Sequence, residues 1–546
     1  MNFGQGRSLI EEPKNEPIKS YLKGSKEREE VEKEVKRMKG EEKEVSLVIG
    51  GKEVKTGIVD PIICPHNKHL KLGFYHNATE KELKEAIEAA KQGKREWESL
   101  KWEQRASIFL KLAEMISQEK WRARLCGATI VGQSKNFFQA EIDAACETID
   151  FLRFNTFFAQ QIFERQPKSE KGVWNRIEHR GLEGFVYAIS PFNFTAIASN
   201  LNLAPVLMGN ATLWKPSENA VLSASYLMDL FREVGFPAGL INFVPNRPQQ
   251  MTPFLLSQPT LAGIHYTGSS AVFNMLFELV GKNMSLYKSY PRIVGETGGK
   301  GFMLVHPSSK NQIQEISTAI VRGAFEYAGQ KCSALSRVYV PSSLWPSIRD
   351  SVFSFLSQVK MGNPEDPSVL VNAVISKKSF DRCNSYIQHA KTTDCCKVIY
   401  GGKSDESEGF FVEPTIILTT NPQAKSLREE IFGPVLTIYV YPDEKLDETI
   451  ELVDNTSPYS LTGCIFASDR QAVQKLEEKL SYSSGNFYIN DKPTGAVVGQ
   501  QPFGGSRSSG TNDKAGSEIN LYRWSSARTI KETFTPPTNP FYPYMN

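Results

Sequence analysis

The sequence predicts an α/β protein built on parallel sheets, and three observations carry that expectation. From Gly184 onward, short β-rich runs alternate with helical runs at the lengths of βαβ units. A second series of the same kind starts near Gly301. At 546 residues the chain exceeds what one hydrophobic core can serve, so two or three domains are expected.

The elements follow in order. Glu27 to Val45 is rich in Lys and Glu paired at i,i+4 and reads as a solvated surface helix. Glu80 to Phe158 is helix-rich and contains QAEIDAACETIDFLRF. In the first alternating series, GFVYAIS precedes a helix over Ala196 to Met208, and ATLWKPS one over Ala220 to Val234. INFVPN then precedes Gln250 to Ser257, and GIHYTGS precedes Val272 to Val280. The second series holds GFMLV, a helical run from Ile316 to Tyr327, SRVYV, a helix over Leu344 to Val359 and, last, FYIN at Phe487 to Asn490. Parallel sheets of this type bind ligands at the carboxyl ends of their strands. The aromatic, proline-rich tail PPTNPFYPYMN is expected to lie against another surface.

Composition narrows the class. A 40% hydrophobic, 23% charged chain is an ordinary globular protein. The net charge of +3, from 64 basic and 61 acidic residues, gives no footprint for nucleic acid. No apolar stretch reaches the ~20 residues of a spanning helix, so no membrane partner is expected. The opening MNFGQGRSLIEE has no apolar h-region and reads as neither a secretory signal nor an Arg-rich transit peptide. Eight cysteines without a CxxC or a paired His spacing fit a reducing compartment and no metal site. Adjacent Cys395 and Cys396 read as ordinary thiols.

The chemistry centres on Cys332, in FEYAGQKCSA between a helical run that stops at Gly329 and a β run from Arg337. A loop with rigid flanks can expose and fix a reactive side chain at once. A thiol near pKa 8.5 is only a few per cent thiolate at neutral pH, so Cys332 needs activation from donors, a cofactor's positive ring or neighbouring Lys331. Glu296, in GETGGKG after a β run, is a carboxylate among glycines that can take a proton from water. Thiol and carboxylate together can form and hydrolyse an acyl intermediate. Asn193, in SPFNF, can donate to an oxyanion. No GxGxxG follows a strand; YTGSS opens a helix instead, with Gly268 flexible and the Ser269 N–H at the helix start. WKPSE brings Lys215 and Glu218 to a strand end, where they suit ribose hydroxyls. EEIFGPVL holds a carboxylate and an aromatic two residues apart, and the glycine-dense run from Lys492 to Gly516 exposes N–H groups that can hold a carboxylate.

WKPS, YTGS, ETGGK, GQKC, EEIFGPV, YSLTG and PFGG, in this order, resemble the aldehyde dehydrogenase superfamily from about residue 45 to residue 546. FEYAGQKCSA, GNFYINDKPTGAVVGQQPFGGSR and SGTNDKAG resemble more narrowly its branch acting on glutamate 5-semialdehyde. That resemblance implies Cys332 as nucleophile, Glu296 as general base, and Asn193 with the Cys332 N–H as oxyanion donors. It implies NAD as cofactor, held by Ser190, Lys215, Ser217, Glu218, Gly268, Ser269, Glu430 and Phe432. For a small-molecule substrate it implies Ser333, Gly495 and Ala496 as carboxylate anchor, Phe194 and Phe503 as flanking aromatics, and Glu147 as a polar partner of the substrate amino end or of Lys331.

The implied fold is the aldehyde dehydrogenase fold: a helical part of the NAD domain (1–163), a β oligomerisation flap (164–182), a Rossmann-like NAD domain (183–296), an α/β catalytic domain (297–515) and an oligomerisation tail (516–546). A homodimer or higher homo-oligomer is implied, as is the mitochondrial matrix, with the cytoplasm left open by the missing presequence. Glu296 and Cys332 stand two residues further apart than the family usually has them, an excess assigned to the loop HPSSKNQ. The alternatives are a dehydrogenase for another semialdehyde such as succinate semialdehyde, or a catalytically silent binding protein on the same fold. A CoA-acylating enzyme is disfavoured because it has no need of Glu296.

Overall fold

In the computed structural model, which describes residues 9–545, two seven-stranded sheets organise the chain. The first contains β1 (Leu47–Ile49), β2 (Lys52–Val54), β3 (Phe185–Ile189), β4 (Ala211–Lys215), β5 (Ile241–Phe243), β6 (Leu261–Thr267) and β7 (Arg292–Glu296), in the order β7-β6-β3-β4-β5-β1-β2. Strands β3 to β7 are parallel, and β1 joins β5 antiparallel. The second contains β8 (Gly301–Val305), β9 (Leu335–Pro341), β10 (Cys396–Tyr400), β11 (Thr415–Thr419), β12 (Val435–Tyr441), β13 (Thr462–Phe466) and β14 (Asn486–Ile489), in the order β10-β11-β12-β9-β8-β13-β14. Here only the edge strand β10 runs antiparallel.

The strands read as they do because helices cover both faces of a parallel sheet. All five residues of β3 and of β8 are buried, and their sequences FVYAI and GFMLV show no polar alternation. The predicted helices form at Thr195–Leu207, Val221–Val234, Pro248–Leu256, Ser270–Lys282, Ile313–Phe325 and Trp345–Leu356. One large apolar cluster fills the first half of the chain and takes in Leu521 and Trp524 from near the C-terminus. Two more cover the second sheet.

Some expectations are corrected. The solvated helix over Glu27 to Val45 is a helix over Lys26–Gly40 followed by a strand over Lys43–Val45. It is not wholly solvated, because Val31, Val35 and Met38 form a buried stripe at i, i+4 and i+7 beneath the charges. The helix before Cys332 ends at Phe325, and the turn after it is left-handed. The reading of the N-terminal leader falls largely on residues 1–8, which lie outside the described residues. Cys395 and Cys396 are free thiols with sulfurs 3.9 Å apart.

The strand Val173–Arg180 pairs antiparallel along its whole length with Ser526–Thr533. This two-stranded ribbon joins neither large sheet. Beyond it, Phe541 and Tyr544 are 64% and 80% exposed within the single chain. Among the described residues no helix is long and apolar enough to cross a membrane.

Candidate active site

Cys332 sits in a turn whose shape is forced. Tyr327, Ala328 and Gly329 have φ of 51°, 48° and 65°, three left-handed residues in succession. For the two non-glycine residues this conformation costs roughly 1–2 kcal/mol each, and it persists only where the surroundings over-determine it. Gln330 supplies part of that constraint: its Oε1 accepts from the Ile375 N–H at 2.8 Å. Gly329 supplies more, because a Cβ there would lie 2.4 Å from the Gly433 carbonyl.

Glu296 reaches the same place from the other sheet, as the last residue of β7. The loop after it presses on the Cys332 backbone: a Cβ on Gly299 would lie 2.0 Å from the Cys332 carbonyl. The Glu296 Oε2 atom is buried with no hydrogen-bond partner among the described residues. Burial pushes its carboxyl well above the ordinary range, Lys514 pulls it back and Asp513 pushes it further. The run that ends the glycine-dense segment straps down this loop, with the Gly295 N–H donating to Thr511 Oγ1 at 3.0 Å and Thr297 Oγ1 to the Ser508 carbonyl at 2.6 Å.

The thiol itself departs from the sequence expectation. Burial first, then the Glu296 and Glu430 carboxylates, push the Cys332 thiol up instead of down. Lys331 does not reverse this, because its Nζ donates to Glu326 Oε2 at 3.1 Å, away from the sulfur.

Asn193, 3% exposed, donates through Nδ2 to the Gln330 carbonyl at 3.2 Å. An amide nitrogen carries two hydrogens, so one remains for an oxyanion formed beside Cys332. Phe194, partly exposed, follows it at the start of the Thr195–Leu207 helix.

The predicted cofactor residues gather at the carboxyl ends of β3, β4 and β6. Lys215 ends β4, and its Nζ donates only to the neighbouring Pro216 carbonyl, at 3.3 Å. Ser217 Oγ accepts from Asn219 N, and Glu218 stands exposed beside it. Ser269 caps the helix Ser270–Lys282, accepting from Val272 N at 3.4 Å. A side chain at Gly268 would meet the Tyr266 hydroxyl at 2.4 Å. Ser190 is more committed than the sequence implied, since its Oγ accepts from the Trp214 indole at 2.9 Å.

From the second sheet, Glu430 Oε1 accepts from the Gly299 N–H at 2.8 Å, and a Cβ at Gly298 would fall 2.6 Å from its Oε2. Phe432, at φ 57°, packs edge-on against Phe192 at 5.7 Å. A lysine at one strand end, a helix N-terminus capped by Ser269, and a carboxylate over a side-chain-free cradle fit the riboses and pyrophosphate of a dinucleotide.

On the opposite side, Ser333 Oγ and Thr494 Oγ1 lie 2.7 Å apart, next to Gly495 (φ 96°) and Ala496. Phe503 is held by paired backbone hydrogen bonds with Ala515 at 3.0 and 2.8 Å. Glu147 ends a π-helix over Glu141–Glu147, a form found often at functional sites. Its carboxyl is pushed up to about 8, by burial and then by Asp143. Of its two predicted roles, pairing with Lys331 is taken by Glu326, although the Lys331 charge still acts on it. No His/Cys/Asp/Glu trio among the described residues could hold a metal.

Sequence reasoning missed Lys135, Asp143, Glu326 and Lys514. Lys514 lies in SGTNDKAG, which marked a family branch without marking a role. Its Nζ donates to the Gly485 and Gly504 carbonyls at 2.7 and 3.0 Å and acts on Glu296. Lys135 lies in the connection after the helix Glu119–Gln133 and Asp143 in the π-helix Glu141–Glu147, so no helical spacing relates them.

The model of the aldehyde dehydrogenase family matches residues 29–530, starting earlier than the resemblance in the motifs. The chain is 50% identical over 544 residues to the mitochondrial delta-1-pyrroline-5-carboxylate dehydrogenase of Dictyostelium discoideum, covering 99% of this chain and 97% of that one. It is 45% identical over 532 residues to the enzyme of the same name from Homo sapiens, covering 97% and 94%. The crystal structure of the delta-pyrroline-5-carboxylate dehydrogenase from Mycobacterium tuberculosis bound with NAD superposes with a TM-score of 0.95 at 45% identity, covering 99% and 100%.

Proposed function

This chain belongs to the aldehyde dehydrogenase family, and from that premise we propose that it is the NAD-dependent dehydrogenase that oxidises L-glutamate 5-semialdehyde, the open form of 1-pyrroline-5-carboxylate, to L-glutamate. The observation that supports the reading is that Glu296, at the end of a strand of the first sheet, acts electrostatically on the buried Cys332 thiol just ahead of a strand of the second, with Asn193 bonded to the carbonyl of Gln330 two residues before that thiol. Near-full-length identity of 45–50% to enzymes named for this reaction supports the substrate.

Each step has a residue. The Cys332 sulfur attacks the aldehyde carbon, and Asn193 with the Cys332 backbone N–H holds the oxyanion of the resulting hemithioacetal. Lys215, Glu218, Ser269 and Glu430 would hold NAD, which when bound would supply the acceptor for the hydride that the adduct loses on becoming a thioester. Glu296 takes a proton from water, which attacks the thioester carbon and releases glutamate with the thiol restored. The N–H groups at Gly495 and Ala496 with Ser333 hold the substrate carboxylate, Phe194 and Phe503 pack its methylenes, and Glu147 faces its amino end.

The test is NADH formation with pyrroline carboxylate against a panel of aldehydes. Succinate semialdehyde turned over with the higher kcat/KM would reassign the substrate, and no turnover of any aldehyde would leave a silent protein on this fold. The relatives' names support a mitochondrial location, and the exposed ribbon supports a homodimer or larger assembly.

A further inference from the structure

We propose that the buried ion pair Lys135–Asp143 is a positioning device that holds the oxyanion donor Asn193 against the nucleophile turn. The inference rests on the role given above to Asn193 and Cys332. The helix Thr195–Leu207, which fixes Asn193 and Phe194 just ahead of it, has Phe194 at its N-cap, a residue with no side-chain acceptor. Asp143 caps it from another element: Oδ2 accepts from Thr195 N at 3.0 Å and Oδ1 from Ala196 N at 2.9 Å. The same carboxylate accepts from Lys135 Nζ at 2.7 Å, and both side chains are fully buried.

The Lys135 ammonium then reaches both halves of the site. It lies 4.0 Å from the centre of the Phe194 ring and 4.6 Å from that of Tyr327, the first left-handed residue of the nucleophile turn. One cation therefore touches the residue after Asn193 and the residue that starts the Cys332 turn, while Asn193 itself bonds the Gln330 carbonyl between them. The pair is anchored in its turn. Asp143 belongs to the π-helix, whose first residue, Glu141, is tied to Arg122 and accepts from the Tyr21 hydroxyl at 2.7 Å. Gln133 braces the loop from the side, donating to the Phe192 carbonyl at 2.6 Å.

Stability alone is a poor reason for such a pair. Desolvating two charges costs several kcal/mol per ion, and uncharged replacements of equal volume are often neutral or stabilising. The double variant Lys135→Met/Asp143→Asn removes both charges and leaves an amide oxygen for the cap. Positioning predicts a melting temperature at or above the parent's, unchanged KM for NAD, and kcat lowered about 100-fold, the effect of losing one oxyanion donor. Lys135→Gln, which keeps a donor for Asp143 and loses the charge over the rings, is expected to show the same selective fall in kcat and carries the test if the double variant does not fold. A parental kcat in either folded variant overturns the proposal, as does failure of both to fold, which would make the pair a determinant of folding. The unmodified protein is assayed alongside, so that absence of aldehyde oxidation there counts against the function and not against the pair.

Discussion

A carboxylate with a buried oxygen and no hydrogen-bond partner is costly to keep, and Glu296 is such a group. The cost has a use if the carboxyl must wait in its neutral form until a water needs a base. Glu296→Gln removes the base and spares the fold, so thioester formation should proceed while hydrolysis stalls, and mass spectrometry should find an acylated Cys332. The ionised form is the base, and burial raises its pKa, so the fraction of competent base grows as pH rises through that raised value. Deacylation in the unmodified protein is therefore expected to accelerate as pH rises above the ordinary carboxylate range. A pH-independent hydrolysis rate would count against Glu296. Glu147 gives a stability version of the same physics. Its carboxyl is raised from 4.5 to about 8, so its neutral form favours the fold below 4.5, and that contribution is lost as pH climbs to about 8. Relative to the parent, Glu147→Gln should gain melting temperature progressively across that window and hold the gain above it.

The strained nucleophile turn shows what an element adds to its residues. Gly329→Ala puts a Cβ 2.4 Å from the Gly433 carbonyl at a φ of 65°. The added strain, about 1 kcal/mol before any clash, falls on the backbone that aims Cys332. We expect kcat to fall at least about tenfold with little change in KM for NAD, because near-attack geometry is lost while the cofactor groups stay in place. Steady-state kinetics in both substrates decide it. The sequence foretold this element only in part. Its flanks were readable, since an amphipathic helical run and a β run bracket GQKC. The left-handed Tyr327 and Ala328 were not, because neither residue type favours that conformation and only tertiary contacts impose it. The parallel sheets were readable from alternating period, and Cys332, Glu296 and Asn193 from the motifs around them. The ion pair beneath them was not, since Lys135 lies in the connection between the helices Glu119–Gln133 and Phe137–Ala140 while Asp143 lies in the π-helix, and no one periodicity relates the two. The buried stripe of Val31, Val35 and Met38 was masked by the Lys and Glu around it.

At the scale of the molecule, the two sheets explain the site and the ribbon explains what is left over. Each sheet ends at one of the two proposed reactive groups, β7 at Glu296 and the connection into β9 at Cys332, so the proposed site needs both sheets. The ribbon of Val173–Arg180 and Ser526–Thr533 contributes nothing to either. An isolated two-stranded ribbon is marginal in water, and its unpaired edges are templates for another strand. Trp174 on it is 50% exposed and Phe534 just beyond it 63%, while Val272, Met275 and Phe277 open a second apolar face on the helix Ser270–Lys282 at 40%, 38% and 46%. Surfaces of that kind on one chain are expected to meet a second copy. Removing residues 526–546 deletes one ribbon strand and the aromatic tail but leaves Leu521 and Trp524 in the core, so the shortened chain should still fold. Sedimentation velocity should then show the full chain as a dimer or larger species and the shortened chain as a smaller one. NAD binding should survive, because every residue proposed to hold the cofactor lies between Ser190 and Phe432. A shortened chain that sediments as the same oligomer would move the interface away from the ribbon and onto the exposed helix face alone.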